Sequence, residues 1–152
     1  MDKLNYGVIG NCCTAALISD KGSIDWLCFP NFDSPSIFAS LLDREKGGYF
    51  GFEVSPDYQI SQSYVPHTNI LSTNFVSEEN EFAVVDFMPC YHLSDASNCY
   101  RPAEIYRYIR RIKGTPRFKI NYEPAPDYAR GKTIFNTCLL YTSPSPRDRQ
   151  KS

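Results

Sequence analysis

Short runs in which hydrophobic and polar residues alternate recur along most of the chain. Residues 15–19 and 24–29 flank the polar segment 20–23, and this arrangement predicts a β-hairpin. Residues 69–76 and 81–88 flank a second polar segment and predict another hairpin. Further alternating or aromatic-rich runs predict strands at residues 6–9, 49–54, 59–65, 105–113 and 117–122.

The number and length of these runs predict the fold class. About eight or nine short strands joined by hairpin turns are typical of an antiparallel β-sandwich. The pattern places no long helices between the strands, which disfavours a parallel α/β sheet. We therefore expect a mostly β protein with an antiparallel sandwich architecture.

One short helix is predicted near residues 35–43. Ser34 is a good N-cap and Pro35 suits the first helical position. The glycine pair at 47–48 would end the helix. The apolar residues fall on one helical face: Ile37, Phe38, Leu41 and Leu42.

Composition and charge exclude several classes of function. The chain has 152 residues, a net charge of −1 and 42% hydrophobic residues. The near-zero charge argues against binding to nucleic acid or to a membrane surface. Residues 1–6 lack the layout of a signal peptide, and no apolar run is long enough to span a bilayer. We therefore expect a cytoplasmic protein.

The cysteines and histidines do not follow the spacing of a metal site. The chain has six cysteines but no CxxC pair, and its two histidines, His67 and His92, lie far from any regular cysteine spacing. We therefore expect no metal and no cofactor. The cysteines are expected to be reduced and mostly buried. Cys12 and Cys13 are adjacent and could be redox-sensitive, but no strongly basic residue lies near them in the sequence.

Motifs for nucleotide binding, nucleophilic hydrolysis or zinc proteolysis do not occur in the sequence. The acidic segment 78–81 is expected to be a solvated turn, because general acid catalysis needs a partly buried carboxyl group. Arg107, Arg110 and Arg111 are expected to form a solvated strand face. Contact with a carboxylate or a phosphate is the alternative for these arginines.

A long string at residues 22–36, GSIDWLCFPNFDSPS, carries a family resemblance. The segments YGVIGN at 6–11, TAALIS at 14–19, YVPHTNIL at 64–71 and VDFMP at 85–89 extend it. Together they resemble the N-terminal domain of bacterial glycoside hydrolase family 15, the glucoamylase-like and trehalase-like proteins. Cys13 departs from the family, which more often has a basic residue there.

The resemblance implies a fold and an activity. The chain would hold the first portion of a large β-sandwich, and a following (α/α)₆ barrel, absent here, would carry the chemistry. Two glutamates of that barrel would perform an inverting hydrolysis of an α-glucosidic bond. No catalytic residue therefore falls in this chain, which is expected to be inactive alone. The expected partners are that missing barrel and, for the full-length parent, an α-glucan or an α-linked disaccharide.

Two other functions stay open at this point. The chain would be either a stand-alone carbohydrate-binding module or a non-catalytic interaction module. The sequence offers Asn11, Trp26, Phe32 and Asp33 as sugar-binding candidates, because aromatic faces and polar side chains bind sugars. In the alternative interpretation, Trp26 belongs to the core and Asp33 and Ser34 cap the helix.

The end of the chain has a different character from the rest. Residues 138–148, CLLYTSPSPRD, resemble the translated adapter of transposase-based sequencing libraries. We therefore expect residues 1–137 to be the first part of the family domain and residues 138–152 to be a disordered, non-natural tail. A genuine Pro/Ser-rich linker is the alternative. A sandwich cut part-way is expected to be marginally stable or prone to aggregation.

Overall fold

A computed structural model describes residues 5–92 and 99–130 of the chain. The strands are β1 Tyr6–Gly10, β2 Ala15–Ser19, β3 Ile24–Cys28, β4 Ser36–Phe38, β5 Tyr49–Glu53, β6 Gln59–Tyr64, β7 Leu71–Val76, β8 Glu81–Phe87, β9 Tyr91–His92, β10 Cys99–Tyr100, β11 Tyr106–Lys113 and β12 Lys119–Glu123. One helical turn, α1 Pro126–Ala129, follows β12. The predicted tail at 138–152 lies outside the described residues.

The strands form two main antiparallel sheets and a small ribbon. The first sheet has the order β1-β2-β3-β5-β12, and β4 also pairs with β3. The second sheet has the order β11-β8-β7-β6, while β9 and β10 pair only with each other. The expected mostly β, antiparallel architecture is confirmed. Among the described residues, no helix is long and apolar enough to cross a membrane.

Both predicted hairpins are confirmed. β2 pairs with β3, and Leu17 lies opposite Trp26. Their turn closes through a 2.8 Å hydrogen bond from Ser19 N to Ser23 O, and Gly22 has a φ of 77°. Glycine adopts this left-handed conformation at little cost, which explains its place in the turn. β7 pairs with β8, and their turn closes from Ser77 N to Asn80 O.

The helix predicted at residues 35–43 is wrong in position. Residues 36–38 form β4 instead, with Phe38 opposite Leu27 and buried in the core. Ala39 N donates to Gly47 O, so the following backbone is also paired outside a helix. Leu42, which the helix would have placed on its apolar face, is 67% exposed. Pairing with β3 therefore outweighs the local helix signal.

The single described helical segment lies near the other end of the described chain. α1 has no buried residue, and its interior residues Asp127 and Tyr128 have φ values of 52° and 55°. It is therefore a short turn with left-handed residues and not an amphipathic helix. Tyr128 N donates to Ser36 Oγ at 3.1 Å, which attaches this turn to β4.

Two buried clusters fill the fold. The aromatic cluster contains Phe75 and Phe82, whose stacked rings have centroids 4.5 Å apart. Phe118 stacks on the other side of Phe82 at 4.6 Å. The larger, mainly aliphatic cluster joins β1, β2 and β3 to β4, β7 and the residue after β8. It contains Ile9, Ala16, Ile18, Ile24, Leu27, Phe38, Leu71 and Met88.

A buried ion pair connects the two sheets. Arg107 on β11 donates to Asp86 on β8 at 2.7 Å, and the two side chains are 4% and 0% exposed. The guanidinium also donates to the carbonyls of Phe50 and Gly22, which belong to the first sheet and its turn. The solvated environment expected for Arg107 is therefore wrong, and the carboxylate contact is confirmed. Arg110 and Arg111 are exposed, as expected.

The chain crosses between the sheets after β11. Gly114, with a φ of 66°, lies between β11 in the second sheet and β12, which pairs with β5 in the first. Both of these strands lie at sheet edges. They expose large apolar side chains, namely Tyr108, Ile112, Ile120 and Tyr122.

Candidate functional site

A cleft of about 830 Å³ opens at one end of the fold. Its walls come from the end of β1, the turn between β6 and β7, the end of β8, the ribbon β9–β10 and the start of β11. Asn69 Nδ2 donates to Gly10 O at 2.7 Å, which attaches the β6–β7 turn to β1. Thr68 Oγ1 closes that turn by donating to Val65 O. The walls are therefore cross-linked by side chains.

Aromatic side chains form one side of the cleft. Tyr91 and Tyr100 are cross-strand partners in the ribbon, and their ring centroids lie 5.1 Å apart. Tyr106 stacks on Phe87 at 5.2 Å. All three tyrosines are exposed although they line the cleft. Exposed aromatic faces in a concavity are suited to an apolar ligand face.

Polar groups lie among these rings. Tyr106 Oη donates to Glu104 Oε2 at 2.8 Å, and this hydrogen bond raises the pKa of Tyr106. Glu104 is the only carboxylate among the described residues that line the cleft, which also include His67 and Asn69. A carboxylate, an amide and an imidazole supply donors and acceptors for ligand hydroxyls.

Thiols and an arginine lie at the rim. Arg101 Nε donates to Cys99 Sγ at 3.2 Å, and this interaction lowers the pKa of Cys99. The Arg101 side chain also lies close to that of Cys13. The expectation that the thiols are mostly buried is wrong: of the described cysteines only Cys28 is buried. A basic neighbour for Cys13 exists, but it comes from a distant part of the sequence.

The cleft has the chemistry of a binding site. A glycosidase needs two carboxyl groups on either side of the bond it cleaves. Glu104 has no second carboxylate facing it across the described cleft walls. Within the described residues, no group of three or more His, Cys, Asp or Glu side chains is arranged to hold a metal ion. Aromatic faces with single polar groups can bind a sugar but do not supply an acid and a base.

Asn11, one of the sequence-derived candidates, lies behind the cleft. It is 1% exposed, and its amide donates to Pro102 O at 3.0 Å. Its side-chain oxygen accepts from the backbone N–H groups of Cys13 and Thr14. This side chain therefore joins the β1–β2 turn to the segment before β11. Its polar groups are used within the protein.

The other three candidates lie away from the cleft. Trp26 is half-buried on β3, with its ring 6.3 Å from that of Tyr128. Phe32 is exposed, and its backbone N–H donates to Cys13 O. Asp33 is exposed in the same loop. The structure thus places Phe32 near the Asn11 turn but does not bring Trp26 to it, and sugar binding by these four residues stays a prediction.

The tyrosines of the cleft were not singled out by the sequence. Tyr91 and Tyr100 fall in a segment, 89–103, that reads as a loop, and its two-residue strands are too short to show an alternating pattern. The one available signal is the local density of tyrosine and cysteine between residues 90 and 108. Only the pairing of β9 with β10 brings these side chains together.

Asp25, the carboxylate within the GSIDWL string, is hydrogen-bonded to other side chains of the protein. Tyr6 Oη donates to Asp25 Oδ2 at 3.0 Å, and Ser23 Oγ donates to Asp25 Oδ1 at 2.6 Å. Partial burial and the neighbouring Asp25 raise the pKa of Tyr6 to about 12. Both oxygens of Asp25 are thus bonded within the protein, and the bond from Tyr6 connects β1 to β3 across the intervening β2.

Comparison with known proteins gives a consistent picture. Residues 4–138 match the family model described as trehalase-like, N-terminal. A trehalase of Thermoplasma volcanium is 36% identical over 136 residues, which cover 87% of this chain and 21% of the relative. Trehalase 1 of Sulfolobus acidocaldarius is 50% identical over 84 residues, covering 55% of this chain and 14% of the relative.

A more divergent relative extends this match. A trehalase of Mycobacterium tuberculosis is 32% identical over 141 residues, covering 83% of this chain and 20% of the relative. The chain therefore spans about a fifth or less of the length of the curated relatives it matches. No solved structure matches the chain.

Proposed function

Because the chain belongs to the trehalase-like N-terminal domain family, we propose that it is the non-catalytic N-terminal domain of an enzyme that hydrolyses an α-glucosidic bond. The observation that carries the proposal is the family match across residues 4–138, together with relatives that are named trehalases and are about five times longer than the matched region. The substrate class of the parent is then an α-linked disaccharide such as trehalose, or an α-glucan.

The finer part of the proposal concerns the catalytic centre. The resemblance to glycoside hydrolase family 15 supports an inverting reaction in an (α/α)₆ barrel outside this chain, where one carboxyl group protonates the leaving oxygen and another activates water. The single carboxylate of the cleft supports a non-catalytic role for this domain. The cytoplasmic location and the adapter-like origin of residues 138–152 stay predictions from the sequence.

The proposal is tested by assaying the 152-residue chain on trehalose, maltose and starch, with a full-length trehalase from Thermoplasma volcanium as the positive control. We expect no glucose release by the chain. Turnover that disappears in Glu104→Gln but persists in the matched surface variant Glu53→Gln would overturn the proposal, because it would place the chemistry in this cleft.

The tyrosine-lined cleft favours a second candidate function, carbohydrate binding by the domain itself. Tyr91, Tyr100 and Tyr106 present exposed rings beside Glu104. Calorimetric titration of the chain with maltoheptaose and with trehalose is expected to show saturable binding. Tyr100→Ala should weaken it about fivefold, which corresponds to the loss of one aromatic contact of about 1 kcal/mol.

The matched control for that titration is Tyr108→Ala. Tyr108 is an exposed tyrosine of β11 that does not line the cleft. Its replacement should leave the affinity unchanged. A flat titration of the unmodified chain with both sugars would dismiss the binding function while leaving the proposed membership in a hydrolase intact.

A further inference from the structure

The ribbon at the rim of the cleft brings two thiols together. Cys90 lies just before β9 and Cys99 is the first residue of β10, and their Sγ atoms are 3.7 Å apart. Cys90 is exposed and Cys99 is half-buried, so a small molecule in solution can reach the pair. The cleft chemistry described above does not use this contact.

The strand register explains why the two thiols meet. Tyr91 pairs with Tyr100, so extending the antiparallel register by one residue places Cys90 opposite Arg101. Side chains two apart on one strand share a face, which puts Cys99 and Arg101 on the face that Cys90 occupies. Cys90 and Cys99 are therefore diagonal neighbours, and diagonal neighbours are within reach of each other.

The two thiols differ in their electrostatic environment. The Arg101 guanidinium donates to Cys99 Sγ at 3.2 Å and lowers the pKa of Cys99. The neighbouring Cys99 raises the pKa of Cys90. Since the thiolate is the reactive form, Cys99 is the more nucleophilic of the two and Cys90 is the thiol available to react second.

We propose that Cys90 and Cys99 are a dithiol site that undergoes reversible oxidation to a disulfide by exchange with a small disulfide such as glutathione disulfide. Three observations support this proposal: the Sγ–Sγ contact, the accessibility of the pair to solvent and the hydrogen bond from the Arg101 guanidinium to Cys99. The product is one intramolecular disulfide across the ribbon.

The exchange balances in two steps. The Cys99 thiolate attacks one sulfur of glutathione disulfide, a mixed disulfide forms, and one glutathione leaves as a thiolate that takes up a proton. Cys90 then loses its proton to solvent and attacks the Cys99 sulfur, which expels the second glutathione thiolate. The two cysteine thiols are oxidised, and one glutathione disulfide is reduced to two glutathione thiols.

The geometry requires a small adjustment. The sulfur atoms must approach from 3.7 Å to about 2.05 Å. The pair lies at the end of a two-stranded ribbon that pairs with neither main sheet. Such a ribbon is weakly held, so a local shift is inexpensive. Tyr91 and Tyr100 follow the two cysteines directly, so the disulfide would also hold the tyrosine pair of the cleft in register.

The test uses the full chain equilibrated in buffers of reduced and oxidised glutathione, acid-quenched and digested with a protease that cleaves after Tyr91. We expect a cross-linked pair of peptides containing Cys90 and Cys99, formed in a single two-electron transition and reversed by reduced glutathione. Cys12→Ser and Cys28→Ser serve as controls and should retain the cross-link. Cys90→Ser should instead accumulate a glutathione adduct on Cys99.

Arg101→Met tests the role assigned to the guanidinium. This variant should slow alkylation of Cys99 by iodoacetamide at neutral pH, whereas Arg110→Met, at an exposed arginine of β11, should leave that rate unchanged. Cys12 lines the same cleft as Cys90 and is the competing partner. The proposal is overturned if both thiols stay free at high glutathione disulfide, or if the cross-link joins Cys12 to Cys90. Both measurements are made without sugar, so failure of the proposed carbohydrate function does not affect them.

Discussion

Two arginines from one stretch of chain have opposite environments. Arg107 lies between the two sheets, where it donates to both oxygens of Asp86 and to the backbone carbonyls of Phe50 on β5 and Gly22 in the β2–β3 turn. Arg101 lies at the cleft rim, where it donates to the sulfur of Cys99. In the interior, the Arg107 guanidinium makes four hydrogen bonds to oxygen acceptors, whereas at the rim the Arg101 guanidinium lies beside reactive thiols.

The difference follows from desolvation. Burial raises the pKa of Asp86, while the hydrogen bonds and charge of Arg107 lower it again. The Phe50 and Phe52 rings lie 4.7 Å and 5.0 Å from the Arg107 guanidinium carbon and exclude water on their side. Removing one partner of a buried ion pair strongly destabilises the folded state, so Arg107 and Asp86 have a structural role. At the rim, solvent reduces that cost and the charge is available to activate a thiol.

The largest effect is expected for Asp86→Ala, which leaves the Arg107 guanidinium buried without its carboxylate. The free energy of unfolding should fall by about 3–5 kcal/mol, as is typical for breaking a buried ion pair. Urea denaturation followed by tryptophan fluorescence of Trp26 measures it. The double variant Asp86→Ala, Arg107→Met should recover part of the loss. A cost below about 1 kcal/mol for Asp86→Ala would contradict the structural role, because that is the range of exposed pairs.

An intermediate effect is expected for Asn11→Ala, at the junction between the buried interior and the rim. The replacement leaves the N–H groups of Cys13 and Thr14 and the carbonyl of Pro102 without their partner. A loss of about 1–3 kcal/mol in unfolding free energy is expected. Asn31→Ala, in an exposed loop, is the matched control and should stay within about 0.5 kcal/mol of the parent. Equal effects of the two variants would refute this structural assignment for Asn11.

The smallest effect is expected for Lys119→Ala. Its ammonium lies 3.2 Å from Glu53, but the two side chains are 69% and 64% exposed. An exposed pair of this kind contributes about 0–1 kcal/mol, and the same denaturation experiment measures it. A loss as large as that of Asp86→Ala would show that burial is not what separates the two classes of ion pair.

Local sequence patterns predicted most of the fold. The hairpins β2–β3 and β7–β8 were predicted because alternating runs flank short polar turns, a signal that depends only on neighbouring residues. The segment 35–43 carries an equally clear helix signal, and yet its residues 36–38 form β4, since their backbone pairs with β3. A local pattern cannot include the free energy of a partner strand that is distant in the sequence.

The candidate site was less predictable than the fold. Glu104 and Tyr106 are close in sequence, but the cleft also needs the β6–β7 turn and the end of β1, which are held together by the Asn69–Gly10 hydrogen bond. Asn11 shows the same dependence on the tertiary structure. An asparagine side chain is suited to sugar recognition. In this structure, however, Asn11 is buried, and its amide and its side-chain oxygen are hydrogen-bonded to the backbone of the protein.

By itself, the sequence determined the alternation of hydrophobic and polar residues in the strands, the two hairpins and the trehalase-like family. These features depend on neighbouring residues and on long matching strings. The tertiary structure decided that residues 36–38 join a sheet, that Arg107 is buried and that Asn69 joins the β6–β7 turn to β1. The physical reason is that burial and charge pairing depend on which strands become neighbours. Those contacts join residues distant along the chain, so the burial that they produce is not visible in a local pattern.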